Sequence, residues 1–205
     1  MNLWAFEEAG WASGKKLICG VDEAGAGPLA GRVYAGAVIL PRHIELDGLN
    51  DSKQVSPKKR EELFEQICEK AIAWAVGWVE PEEIDRIDIL NSRIKAMDLA
   101  IKQLEPIPDY ALVDGNRDKG SQYALTCVHE TIIKGDSRSA SIAAASILAK
   151  VSRDRYMLEM AEKCPEYLFE KHKGYGTKLH YEMLDQYGPS PIHRRSFLKK
   201  WETGR

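Results

Sequence analysis

From Leu17 to Leu40 the chain reads as two apolar runs, Leu17 to Val21 and Val33 to Leu40, separated by Asp22, Glu23 and a bend containing Gly25, Gly27 and Pro28. Short runs with β-branched residues, bounded by glycine and proline, predict two buried strands joined by a tight connection. Successive side chains on a strand face opposite ways. Asp22 and Glu23 therefore share a site only if the strand ends or bends directly after Asp22, a bend the glycines are expected to supply. Gly25 to Ala30 also fits a dinucleotide-binding fingerprint with Ala in last place, but that motif needs a helix next to receive a pyrophosphate, and here a strand follows. A hairpin carrying acids at its turn is the better reading; a hairpin whose acids are merely solvated is the plainer alternative.

At 205 residues the chain is long enough for one sizeable core, and it has no linker-like stretch or internal repeat. The 29 Lys and Arg nearly balance the 31 Asp and Glu, so nucleic-acid binding would have to come from a local basic surface. Cys19, Cys68, Cys127 and Cys164 are scattered, without the paired spacing of zinc or redox sites, which predicts reduced thiols and a cytoplasmic protein. No apolar run reaches membrane-spanning length, and the acidic start, with Glu7 and Glu8, is unlike an export signal.

Beyond the hairpin, Ser56-Pro57 opens a predicted helix to about Lys70 with Leu63, Phe64 and Ile67 on its buried face. Ala71 to Val79 reads as a strand with Ile72, Trp74, Val76 and Trp78 on one face. Leu90, Ile94, Met97, Ile101 and Leu104 recur at helical steps until Pro106 and Pro108. Tyr110 to Val113 is a short strand with Asp114 at its end. Val128 to Lys134 is another, closed by Gly135-Asp136-Ser137. The Ala- and Ser-rich helix from about Ser139 has little side-chain bulk and can pack close to a sheet. Asp154 in it reads as a surface partner for Lys150 or Arg155. In the last quarter, Lys171 to Thr177 and His193 to Lys200 concentrate basic residues, the first beside Tyr175, and suit a phosphate backbone next to a sugar or base face.

If Asp22, Glu23, Asp114 and Asp136 converge, they demand cations or protons. Two carboxylates about 4 Å apart repel by roughly 4 kcal/mol at an effective dielectric near 20. Hard oxygen donors without His or Cys suit Mg²⁺ or Mn²⁺, and two such ions would suit phosphodiester hydrolysis. A glycosidase also uses carboxylates, but it needs only two and leaves the basic tail unexplained.

Gly20-Val21-Asp22-Glu23-Ala24-Gly25, Asp51-Ser52-Lys53, Val113-Asp114-Gly115, Lys134-Gly135-Asp136-Ser137, the Ala-Ala-Ala-Ser-Ile-Leu-Ala-Lys run, His172-Lys173-Gly174-Tyr175 and His193-Arg194-Arg195-Ser196-Phe197 together resemble bacterial ribonuclease HII, in the family's order. The resemblance implies an α/β ribonuclease H-like fold, a mixed five-stranded sheet flanked by helices, with a C-terminal helical segment. It implies an N-terminal extension over residues 1–16, a catalytic core over 17–163 and a substrate-binding segment over 164–205, in one compact unit. The implied activity is endonucleolytic cutting of RNA in RNA–DNA hybrids and on the 5′ side of single ribonucleotides in duplex DNA, leaving 3′-hydroxyl and 5′-phosphate ends, by a monomer using two divalent ions.

By motif position, Asp22, Glu23, Asp114 and Asp136 resemble the family's metal-binding acids, with Asp22 bridging the ions. Tyr175 resembles the tyrosine that packs on the deoxyribose after the ribonucleotide. The loop Gly25-Ala26-Gly27 resembles the element whose backbone meets the 2′-hydroxyl. Lys53, Arg194 and Ser196 are candidate phosphate contacts. The family usually has Arg where this chain has Ala26, which predicts weaker substrate binding with the metal site intact. Gln54 stands where a second Lys is common. A catalytically silent hybrid-binding module, a junction resolvase and ribonuclease HIII are the rival readings; the four acids argue against the first, and Tyr175 with its neighbours against the other two.

Overall fold

The computed structural model describes residues 2–49, 55–116 and 122–204. Strands β1 (Ile18–Ala24), β2 (Val33–Ile39), β3 (Ala73–Val79), β4 (Tyr110–Asp114) and β5 (His129–Ile132) form one sheet in the order β3-β2-β1-β4-β5. β1 to β3 pair antiparallel, whereas β4 and β5 extend the sheet in parallel from β1. Connection length explains the mixture. β1 reaches β2 through a tight bend, but the chain returns to β4 only after the helices α3 (Pro81–Ile87) and α4 (Ile89–Lys102), long enough for a parallel crossover.

Each face of the sheet is covered. On one, Ala96, Met97, Ala100 and Ile101 of α4 pack against Cys19, Val21, Ala35 and Ala37. On the other, Val38 meets Leu63 and Ile67 of α2 (Pro57–Lys70) and Ala144, Ala145 and Leu148 of α5 (Ala140–Lys163). Ser56 caps α2 as expected, accepting from the Lys59 N–H at 3.3 Å. The small residues of α5 bring its backbone onto β1: a Cβ added at Gly20 would fall on Ser141 and the Ile142 nitrogen. Lys150 pairs with Asp154 at 2.7 Å.

β3 carries Trp74, Val76 and Trp78 on one face, as expected, whereas β5 is shorter than its expected span. On β3 the large residues turn outward, leaving Trp74 and Trp78 exposed, while Ala73, Ala75 and Val79 are buried. α4 crowds that inner face so closely that only small residues fit, Gly77 lying against Ala96 and Ala100. β5 stops at Ile132; the chain then turns through Lys134 at a left-handed φ of 55° into a 3₁₀ turn, Gly135–Ser137.

After α5 come α6 (Phe169–His172), α7 (Lys178–Tyr187), capped by Thr177, and α8 (Arg195–Thr203). This segment folds back onto the bend after β1: the Leu29 N–H donates to the Gly174 carbonyl at 2.8 Å, and the Gly31 N–H to Ile192 at 2.9 Å. The N-terminal helix α1 (Ala5–Ala12) lies across the start of α5. All four cysteines carry free thiols. No helix among the described residues is long and apolar enough to cross a membrane.

Candidate active site

β1 and β4 run side by side with Val21 level with Val113, so Asp22 and Asp114 follow at the same end of adjacent strands. β1 does not stop at Asp22 as expected; it continues to Ala24 in register with β2. Alternation therefore turns Asp22 with Gly20 toward α5, and Glu23 with Val21 toward α4. There Arg93 meets Glu23 at 2.6 Å. Asp136 enters from the 3₁₀ turn before α5, and the Gly135 N–H ties that turn to Asp114 Oδ1 at 2.7 Å. A strand end and a helix start thus deliver three carboxylates to one corner of the sheet.

Asp22 and Asp136 are each only 7 % exposed. Burial, then the charges of Glu23, Asp114 and Asp136, push the Asp22 carboxyl well above its usual range. Burial raises Glu23 as well, against the opposing pull of Arg93. Among the described residues, no three His, Cys, Asp or Glu side chains are grouped tightly enough to grip one ion as they stand. Glu23 is turned onto Arg93, Asp114 onto the Gly135 N–H, and Asp22 Oδ1 onto the Glu23 N–H at 2.7 Å. The donor chemistry nevertheless fits hard cations. Every side chain in the set offers carboxylate oxygens, and Glu23 Oε2 is buried without a hydrogen-bond partner.

The glycine loop beside these acids is held from below. Arg194 is fully buried and donates to the carbonyls of Gly31, Ala26, Pro28 and Gly25 at 2.7–3.1 Å. This corrects the expectation of a phosphate contact: with no exposed surface, its guanidinium shapes the loop instead. Ser196 is half-buried, and its hydroxyl and N–H both donate to Asp85, which caps the start of α8. Gly25 takes a φ of +94° directly above Arg153, where any side chain would collide with the guanidinium. Ala26 is half-buried and Gly27 exposed. Lys53 and Gln54 lie outside the described residues.

Tyr175 is 43 % exposed, with the Arg153 guanidinium 5.3 Å from its ring centre. Its backbone is fixed by three buried histidines. His180 Nδ1 faces the Tyr175 carbonyl at 2.9 Å and must carry the proton, so its Nε2 accepts from His193 Nε2, also at 2.9 Å. His193 Nδ1 then accepts from Ser190, and His172 donates to the Tyr167 carbonyl while accepting from the Gly174 N–H. Neutral rings satisfy every one of these contacts. Burial accordingly holds His180 down at about 4 and His193 at about 3. His172, His193 and Arg194 are therefore interior groups, and the basic surface expected from these two stretches is smaller than their composition suggests.

A family model described as Ribonuclease HII matches residues 19–200. The chain belongs to the ribonuclease HII family. A ribonuclease HII of Caldicellulosiruptor bescii is 52% identical over 198 residues, spanning 97% of this chain and 94% of that one. The crystal structure of ribonuclease H2 from Pyrococcus horikoshii OT3 superposes with a TM-score of 0.76 at 30% identity, over 92% of this chain and 98% of that one. Bst-RNase HIII in complex with Mn²⁺ gives a TM-score of 0.66 at 17% identity, over 90% of this chain and 65% of that one, a likeness of fold alone. As a ribonuclease HII relative at this level, the chain is a ribonuclease H endonuclease with the ribonuclease H-like α/β fold.

Two residues of this ribonuclease HII site escaped the sequence reading. Arg93 lies one turn from Leu90 and Met97 on α4, and Arg153 one turn from Ala149 and Met157 on α5. A lone charge on an apolar helical stripe was the available signal, because such a position points inward.

Proposed function

We propose that Asp22, Glu23, Asp114 and Asp136 hold two divalent ions, Mg²⁺ or Mn²⁺, and that the chain cuts RNA within RNA–DNA hybrids and 5′ of single ribonucleotides in duplex DNA. The observation that carries this reading is the meeting of Asp22, Asp114 and Asp136 at one corner, where Asp22 is buried among like charges. Such a cluster is unfavourable without cations or protons to offset it. The Mn²⁺ complex of the ribonuclease HIII relative is in keeping with the ion class. Ions held by these four carboxylates would supply Lewis-acid activation of a water and charge stabilisation for phosphodiester hydrolysis.

The remaining work falls to the chain. Asp22, at the centre of the cluster, would be the carboxylate whose charge the bound cations share, and Arg93 sets the orientation of Glu23. Arg194 draws the carbonyls of Gly25, Ala26 and Pro28 inward, which supports a role for the loop's N–H groups in meeting a 2′-hydroxyl. Tyr175, backed by Arg153, offers its ring face to the deoxyribose that follows the ribonucleotide.

The test uses three duplexes, all-DNA, single-ribonucleotide and full hybrid, each with Mg²⁺, Mn²⁺ or a chelator. Cleavage is expected only with ion present, only in the two RNA-containing duplexes, and leaving a 3′-hydroxyl. Cutting of all-DNA, or full activity in Asp22→Asn, would overturn the reading.

A further inference from the structure

Helix α1 is anchored to the body by a carboxylate. Glu7 is fully buried, and it is the one buried residue of the helix. Its Oε1 accepts from Ser139 Oγ at 2.6 Å and from the Ser141 N–H at 2.9 Å, while Oε2 is buried without a partner. The Ala140 N–H donates to the Leu3 carbonyl at 2.8 Å, and the Ile142 N–H to Ser139 Oγ at 3.2 Å. The first N–H groups of α5 are thus taken up by the N-terminal segment and Ser139. A carboxylate shut away from water needs hydrogen bonds and positive charge around it, and a helix start supplies both, the latter equivalent to about half an elementary charge.

Ser139 is also the exit of the turn that carries Asp136. Its N–H donates to the Gly135 carbonyl at 2.8 Å, and the Gly135 N–H reaches Asp114 Oδ1 at 2.7 Å. Glu7, Ser139, Gly135 and Asp114 are therefore linked through successive hydrogen-bonding residues, with Asp136 inside the turn they close. The Arg138 guanidinium, 5.0 Å from the centre of the Phe6 ring, fastens the same turn to α1 a second time.

We propose that Glu7 is a positioning residue of the acid site. It fixes the Asp136 turn against Asp114, and its charge cancels the positive end of α5, which otherwise weakens the hold of the neighbouring carboxylates on a cation. The inference rests on the divalent-ion reading above.

Calorimetric titration of the full chain with Mn²⁺, without substrate, tests it in wild type, Glu7→Gln and Glu7→Ala. The companion measurement is kcat and KM on a single-ribonucleotide duplex across a range of Mg²⁺. Loss of a group that orients metal ligands typically weakens ion binding 10- to 100-fold. Glu7→Ala is expected to bind Mn²⁺ at least about 10-fold more weakly, with KM for the duplex unchanged and kcat recovered by excess Mg²⁺. Glu7→Gln keeps an oxygen acceptor for both donors and should fall between. Mn²⁺ affinity within twofold of wild type in Glu7→Ala, accompanied only by a lower melting temperature, overturns the proposal. A wild-type chain that binds no ion would bring down the divalent-ion reading and this one together, whereas equal binding by wild type and variant brings down this one alone. Should Glu7→Ala fail to fold, Ser139→Ala cuts the same link with Glu7 in place, and the same two results decide.

Discussion

Gly20→Ala tests whether the contact between β1 and α5 sets the geometry of the acid cluster. An added Cβ would lie well inside 3.0 Å of three backbone atoms, the Ser141 carbon and oxygen and the Ile142 nitrogen, and no rotamer change relieves a backbone clash. To bring the shortest of these contacts, 2.0 Å, to an ordinary 3.4 Å, the first turn of α5 must retreat by at least about 1.4 Å. Overpacking of this kind costs about 1–3 kcal/mol. The retreat carries Ser139, and with it the Asp136 turn, away from Asp22 and Asp114. A misplacement of about 1 Å at reacting groups can lower a rate by about 100-fold. The assay is urea unfolding together with single-turnover cleavage of a hybrid at saturating Mg²⁺. Gly27→Ala is the control for stability, because among the described residues beyond its chain neighbours no atom lies within 4 Å of the Cβ position there. Wild-type stability and rate in Gly20→Ala would refute the idea that strand and helix meet through their backbones.

Replacing Arg194 with Met strands four loop carbonyls, and urea unfolding should show a loss above about 3 kcal/mol; a loss below about 1 kcal/mol contradicts its assignment as the loop's scaffold. The histidine trio predicts acid sensitivity. His180 and His193 are lowered from 6.5 to about 4 and about 3, so between pH 6.5 and 4 the unfolded chain binds more protons and stability falls as pH drops, by roughly 3 kcal/mol from His180 alone. The raised carboxyls of Asp22 and Glu23 act in the opposite sense, so the slope is best read in the Asp22→Asn, Glu23→Gln double variant, where a flat profile would refute neutral, buried rings. Ala26→Arg adds a cation at a half-buried loop position; substrate affinity should rise and its log–log salt dependence steepen by about 0.7–0.9, and an unchanged slope would exclude a phosphate contact.

Much of this architecture was legible because it rests on local pattern. The two strands around Asp22, the Ser56 cap and the closely packed alanine helix α5 stand where period and capping chemistry put them. The convergence of Asp22, Asp114 and Asp136 was legible only through motif order, since strand pairing brings together residues far apart in the chain. What the sequence hid were interior charges. Arg194, His172 and His193 read as a basic surface, because composition cannot tell a charge facing water from one satisfied by loop carbonyls or neighbouring rings. Glu7 read only as part of an acidic start, and it is the fold that shows the first turn of α5 lying over it. The outward Trp74 and Trp78 followed from crowding by α4, a tertiary effect without a local signal.

The central claim is that distant carboxylates make one divalent-ion site. Counting Mn²⁺ bound per chain by calorimetry or electron paramagnetic resonance, in wild type and in Asp22→Asn, tests it most directly. Two ions per wild-type chain, with loss of at least one in the variant and higher ion-free stability once the buried charge of Asp22 is removed, is the predicted result. Equal stoichiometry and affinity in the two proteins would contradict it.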